Sequence, residues 1–204
     1  MKLYYIGILD NRQKPATQLC AEYDLSEYSR FTRREYACFM TAISKIVAER
    51  TAPGQRRSIE ENSYTIHCLA RSEGVAAVVI SRDYPSLVAH AILSKVVDEF
   101  LLIQGNTTPI NQAPVKGENS NIEIAFPGLR EYLCAFQDPA QVNNISAIQR
   151  DLDETKILLQ GTINAVLERG EKIDDLITKS SDLSMQSKAF YHGARQQNSC
   201  CIMM

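Results

Sequence analysis

The chain has little that would mark an enzyme, a metal site or a membrane span. Its 204 residues hold three histidines, His67, His90 and His192, in separate segments with no nucleophile or carboxylate at catalytic spacing. A G-x-x-x-x-G-K-S/T phosphate loop is absent, which excludes a P-loop nucleotidase, and no catalytic role is expected. No C-x-x-C pair occurs among Cys20, Cys38, Cys68, Cys134, Cys200 and Cys201, so a zinc cluster or a dithiol redox centre is excluded and no metal or cofactor is expected. The first four of these cysteines lie in apolar stretches and read as small core hydrophobes. No apolar run approaches the roughly 20 residues of a spanning helix. Met1 to Leu9 meets Asp10-Asn11-Arg12 at once, which does not fit a secretory signal. A formal net charge of −2 argues against nucleic acid as a partner. Residues 138 to 199, with seven basic and nine acidic side chains, contain no polybasic tract, and from Ala140 to Asn198 there is no proline.

What is present falls into two regions of different period. Up to about residue 136, strand-like and helix-like segments alternate. Leu3 to Leu9 and Gln18 to Tyr23 read as strands joined by the polar turn Asp10 to Ala16. Phe31 to Arg50 places Tyr36, Phe39, Met40, Ile43, Ile46 and Val47 on one helical face, and Pro53-Gly54 follows as a stop. Arg56 to Glu60, Tyr64 to Arg71 and Val75 to Ser81 are short strands in succession, which predicts an antiparallel meander. Val88 to Leu102 is a second helix, with Ala89, Ile92, Leu93, Val96, Val97 and Phe100 inward, and Ile124 to Phe136 a third. Gln104 to Asn121, rich in Gly, Pro, Asn and Thr, reads as a mobile loop. The prediction is an α+β domain with a five-stranded sheet covered by helices.

The second region, 138–198, shows no strand signal. Alternating steps of three and four from Arg169 reach Val166, Thr162, Leu159, Thr155, Leu152, Ile148 and Ile145 upstream. Downstream they reach Ile173, Leu176, Ser180, Leu183, Ser187, Phe190, Ala194 and Gln197. Ten of these sixteen positions are apolar, a period-3.5 coiled-coil seam. As one helix it would form a rod of roughly 80 Å at 1.5 Å per residue. Burial along one seam does not offset the entropy of ordering that many residues, so a lone strand is expected to be disordered or docked elsewhere until partner helices arrive. Arg169 breaks the apolar seam at its middle, where a charge is costly unless hydrogen-bonded by partners, so it marks a break or sets register.

The tail, 199–204, carries Cys201-Ile202-Met203-Met204, a C-a-a-X box whose final Met favours farnesyl on Cys201. One lipid chain binds membranes reversibly, and Cys200 is the natural second site, for palmitoyl or a second prenyl group.

Leu152-Asp153-Glu154-Thr155-Lys156 and Val166 to Leu176 resemble the core motif of an R-type SNARE, the synaptobrevin class. Met1 to Gly7, Phe39-Met40-Thr41, Asp83-Tyr84-Pro85, Ser187 to Tyr191 and Asn198-Ser199-Cys200-Cys201 extend the likeness to the prenylated longin-domain R-SNAREs, over nearly all of the chain except Gln104 to Asn121. The resemblance implies a longin domain over 1–136, a five-stranded antiparallel sheet with one helix on one face and two on the other. It also implies a SNARE motif over 138–198 that zippers with three Q-type helices, Arg169 meeting glutamines in the central layer, to drive fusion of membranes. Residence would be cytoplasmic and, through lipid, on the cytosolic face of Golgi, vesicles derived from the endoplasmic reticulum, endosome, or vacuole or lysosome. It further implies a closed form in which the longin domain holds the SNARE segment and shelters lipid in an apolar groove. At Ala42 the family commonly carries phenylalanine, a contact implicated in that closure. Here Phe39, Met40 and Ile43 are the candidate groove residues, and the chain is expected to close still, with Phe39 contributing. A lipid-anchored longin adaptor or tether without fusion activity is the alternative function.

Overall fold

The computed structural model describes residues 1–61, 63–107, 124–138, 157–160, 162–168, 170–180 and 183–200; the side chains at 105–107, 160, 190 and 194–200 stand outside that description. Strands β1 (Lys2–Asp10) and β2 (Thr17–Tyr23) form a hairpin, followed by helix α1 (Arg33–Glu49). Strands β3 (Arg56–Glu61), β4 (Tyr64–Ala70) and β5 (Val75–Arg82) make the expected meander, and helices α2 (Ser86–Thr107) and α3 (Gly128–Ala135) follow. Beyond them lie strand β6 (Ile157–Gln160), a 3₁₀ turn (Ile163–Ala165), and helices α4 (Ile173–Lys179) and α5 (Met185–Cys200). The sheet order is β2-β1-β5-β4-β3-β6.

Strand β1 is central and covered on both faces, which is why it reads as an almost unbroken apolar run. Leu3, Tyr4, Tyr5, Ile6, Ile8 and Leu9 are all fully buried. Its register against β5 shifts between Leu3 and Tyr5. The extra residue breaks strict alternation, so Tyr4 and Tyr5 enter the same core cluster under α1, while Leu3 and Ile6 enter the one under α2 and α3. Gly7 is required beside Tyr5: a Cβ there would overlap the Tyr5 hydroxyl. The result is an α+β fold with α1 on one sheet face and α2 and α3 on the other.

Several expectations are corrected. The first region supplies the five antiparallel strands expected of it, but the sheet gains a sixth from the second region and becomes mixed, because β6 pairs parallel to β3 with Arg56 opposite Ile157 and Ile59 opposite Gln160. The region read as one unbroken helix is, among its described residues, a strand, a turn and two helices. The physical reason is that β3 would otherwise present a free edge of N–H and C=O groups, and Ile157-Leu158-Leu159-Gln160 satisfies it. A break is built in at Gly170, whose φ of +95° suits glycine far better than a residue with a Cβ. Helix α2 runs on through Thr107, so the first residues assigned to the loop from Gln104 are helical; 108–121 lie outside the described residues. Helix α3 starts only at Gly128, because Ile124 donates its N–H to Leu19 O of β2 at 2.8 Å rather than entering a helix. Cys20 and Cys68 are buried and Cys38 is half-buried, but Cys134 is exposed on the outer side of α3 and is not a core residue.

Candidate functional site

Helix α1 turns Met40, Ala42, Ile43 and Val47 into a core cluster that it shares with the second region of the chain. Ile163, Val166, Ile173, Ile177 and Leu183 join that cluster, with Leu167 and Tyr191 packed at its margin. The second region is therefore folded back on the first. Phe39 is half-buried, and its ring stacks on that of Tyr191 at 5.1 Å between centroids and 27° between planes. Ala42 is buried in the same cluster, so closure proceeds without a large side chain there.

Polar contacts fix the path of the segment. Ile163 N–H donates to Glu61 Oε2 at 3.0 Å at the end of β3. Arg50, just past α1, grips Glu171 with Nη2 at 3.0 and 2.8 Å and Nε at 3.3 Å. Its guanidinium, with Glu168 N–H also donating, holds the Glu171 carboxyl below the usual range. Tyr191 OH donates to Asp174 at 3.0 Å and Lys188 Nζ to Thr178 O at 2.6 Å, which ties α5 antiparallel to α4. Ser184 caps α5 by accepting from Ser187 N–H at 3.1 Å.

The seam is divided by this docking. Val166, Ile173, Leu183 and Ser187 are buried, Leu176 and Ser180 are half-buried, and Thr162 is exposed. Leu159 is 73 % exposed on the outer strand β6. Phe190, Ala194 and Gln197 lie on α5, as does Cys200 at its end, with side chains not described. Ile145, Ile148, Leu152, Thr155, Arg169 and Cys201 lie outside the described residues.

The most deeply docked side chains are ones that counting along the seam passes over. Ile163 is 1 % exposed and Ile177 0 %, and with Tyr191 they fall at intervals of fourteen, two heptads. Each follows directly on a seam position (Thr162, Leu176 and Phe190), the flanking place where a coiled coil ordinarily carries charge. Apolar residues in that register are the signal that would have found them. One chain thus carries two adjacent stripes, the predicted seam and a flanking one, and both contribute to the cluster under α1.

Histidines separated in sequence also meet. Ser58 Oγ lies 2.9 Å from His67 Nδ1 and 2.8 Å from His90 Nε2, and His67 Nε2 lies 3.1 Å from Ser81 Oγ. Arg56 donates to His90 O at 3.1 Å and to Ser94 Oγ at 2.8 Å. Burial lowers His67 to about 4; burial, with the nearby His67 and Arg56 charges, lowers His90 to about 3. Both rings are neutral at pH 7, and neither they nor Ser58 reach solvent, so the cluster ties β3, β4, β5 and α2 together and cannot receive a substrate. No helix among the described residues is long and apolar enough to cross a membrane.

Comparison with known proteins agrees with this architecture. Residues 25–120 match the family model described as Longin, a regulated-SNARE-like domain, and residues 144–203 match Synaptobrevin. The chain is 45 % identical over 204 residues to the Synaptobrevin homolog ykt6 of Schizosaccharomyces pombe, covering all of both chains. It is 43 % identical to the Synaptobrevin homolog YKT6 of Yarrowia lipolytica and 42 % to that of Saccharomyces cerevisiae, each over 205 residues and the full length of both.

Proposed function

The chain belongs to the family of longin-domain synaptobrevin homologues of the Ykt6 type, and on that premise we propose that it is an R-SNARE for vesicle-membrane fusion, held in reserve by its own longin domain. In this reading residues 138–198 zipper with three Q-type SNARE helices into a parallel four-helix bundle, with Arg169 in the central layer. Farnesyl on Cys201 and palmitoyl or a second prenyl group on Cys200 anchor the product of zippering to a cytosol-facing membrane, of the Golgi, of vesicles from the endoplasmic reticulum, or of the endosome, vacuole or lysosome. Two lipids are needed because one chain alone binds reversibly. No enzymatic step enters this mechanism; the work is done by assembly.

One observation carries the reading: Val166, Ile173 and Leu183, three residues of the predicted seam, are buried in the core cluster that includes Met40, Ile43 and Val47 of α1. The same side chains cannot face α1 and three partner helices at once, so fold-back and zippering exclude each other. Release frees the segment to trade this core for a larger one. The test mixes the full-length chain with sets of Q-type helices and follows formation of a heat-resistant helical complex. Arg169→Leu is expected to impair the complex, and a glutamine-to-arginine exchange in one partner to restore it. Failure with every set, or indifference to Arg169→Leu, would instead favour a lipid-anchored tether.

A further inference from the structure

We propose that the turn preceding α1, carrying Arg30, Phe31, Arg33 and Arg34, is a membrane-binding surface on the longin domain that takes anionic lipid headgroups. Phe31 is 93 % exposed, more than any other large hydrophobic residue described. It therefore buries nothing in the fold, and its ring is free to enter another apolar medium. Three arginines stand within four positions of each other around it, in a chain whose net charge is −2. Arg30 and Arg34 are exposed, and among the described residues neither has a carboxylate partner.

The turn is fixed in shape. Thr32 N–H and Arg33 N–H both donate to Ser29 O, at 3.0 and 3.1 Å, and Thr32 Oγ1 donates to the same oxygen at 3.2 Å. Arg33 reaches back to Tyr28 O and Ser26 O, each at 3.1 Å. A preformed turn loses little entropy on binding. The carboxylates just before the turn, Asp24 and Glu27, are engaged elsewhere. Glu27 accepts from Tyr4 OH at 2.7 Å and pairs with Arg82 at 2.9 Å and Lys2 at 3.7 Å, and Asp24 pairs with Lys2 at 3.3 Å. Glu35 is half-buried, its Oε2 turned away from solvent and without a hydrogen-bond partner, and no ion pair joins it to Arg30 or Arg34 among the described residues. The turn thus presents an apolar tip ringed by unneutralised guanidinium groups. That combination matches a lipid interface, where headgroup phosphates meet the arginines and the ring enters the acyl boundary. An acidic protein would meet the charges but leave the ring unexplained.

The surface would supply from the folded domain the second membrane signal that residues 138–199 lack, and it stands whether or not the tail is lipidated. The experiment uses the full chain without lipid and sediments it with phosphatidylcholine vesicles, either alone or with about one-third phosphatidylserine. Binding is expected only with phosphatidylserine and should weaken with salt. Arg30→Ala and Arg34→Ala should each lower partition by about fivefold. Phe31→Ser should lower it by about tenfold and Phe31→Leu should retain it, with melting temperatures unchanged because the side chain is exposed. Equal partition of the parent and Phe31→Ser would overturn the proposal; if the arginine effects persisted, an acidic protein would be the occupant. Binding that ignores phosphatidylserine would overturn it too. Neither result bears on complex formation with Q-type helices, so the two readings fail separately.

Discussion

Ile177→Ala separates the closed form from the assembled one. Ile177 has no exposed surface and lies in the core cluster with Ile163, Ile173 and Leu183 of the docked segment and Met40, Ile43 and Val47 of α1. Truncation deletes three buried carbons and leaves a cavity, a loss of about 2–5 kcal/mol for such sites. The cost falls on docking, because β6, α4 and α5 can open locally while the longin sheet stays intact. About 3 kcal/mol shifts the open-to-closed ratio by roughly two orders of magnitude. In the bundle, Ile177 flanks seam residue Leu176 without occupying the seam, so its loss there is expected to be small, within about 0.5 kcal/mol. Amide hydrogen exchange should therefore accelerate through Ile157–Gln160 and Ile173–Lys179, complex formation should speed up, and the heat resistance of the complex should be preserved. Ile173→Ala is the contrast, since Ile173 is buried in the closed form and also occupies the seam; it should open the chain and weaken the complex together. The reasoning fails if Ile177→Ala leaves exchange in β6 and α4 unchanged, or if it lowers complex stability as much as Ile173→Ala does.

Three further outcomes follow from the same geometry. Phe39→Ala should cost closure about 0.5–1.5 kcal/mol beyond the area lost, since it removes the stack on Tyr191; Tyr191→Phe should keep the stack and lose the bond to Asp174, a smaller rise in exchange. His67 and His90 sit at about 4 and about 3, below an unfolded value near 6.5, so the unfolded chain binds the protons. Stability is then flat above pH 6.5 and falls below it, by roughly 3 kcal/mol at pH 5.5 for the two together, in denaturant titrations across that range; a flat profile from pH 7 to 5 would refute the buried neutral pair. Arg50 depresses the Glu171 carboxyl, so that contribution to closure is present above the unfolded pKa and lost as pH falls through the folded one. Glu171→Gln should raise exchange in β6 at neutral pH and remove the acid sensitivity of closure, while an unaltered pH profile would show that the pair is not coupled to docking.

How much was legible can be judged from particular elements. Strand β1 announces itself because a strand covered on both faces must be apolar throughout, and α1 and α2 because one-sided burial imposes a 3.6-residue period. The meander β3-β4-β5 follows from local turns. Strand β6 is not legible: its four residues read as part of a helix, and only the free edge of β3 makes a strand of them. Cys134 sits in an apolar sequence yet points outward, because its neighbours Leu129 and Leu133 take the inward face of α3. His67 and His90 are 23 positions apart, and the packing of α2 on the sheet sets them on either side of Ser58.

The sequence by itself determined the α+β domain, the 3.5-residue spacing of apolar positions in the second region and the adjacent cysteines of the tail. These depend on period and spacing along one chain, which local chemistry fixes. Tertiary structure decided how the second region packs: it is broken at Gly170 and buries Ile163 and Ile177 of the flanking stripe together with Val166, Ile173 and Leu183 of the predicted seam. In the docked form these side chains share a core with α1 and the sheet, and Tyr191 stacks on Phe39. Period along one chain does not encode this packing, because the surfaces that receive it come from elements far away in sequence. In the absence of partner helices, the free edge of β3 and the apolar face of α1 are the surfaces within reach.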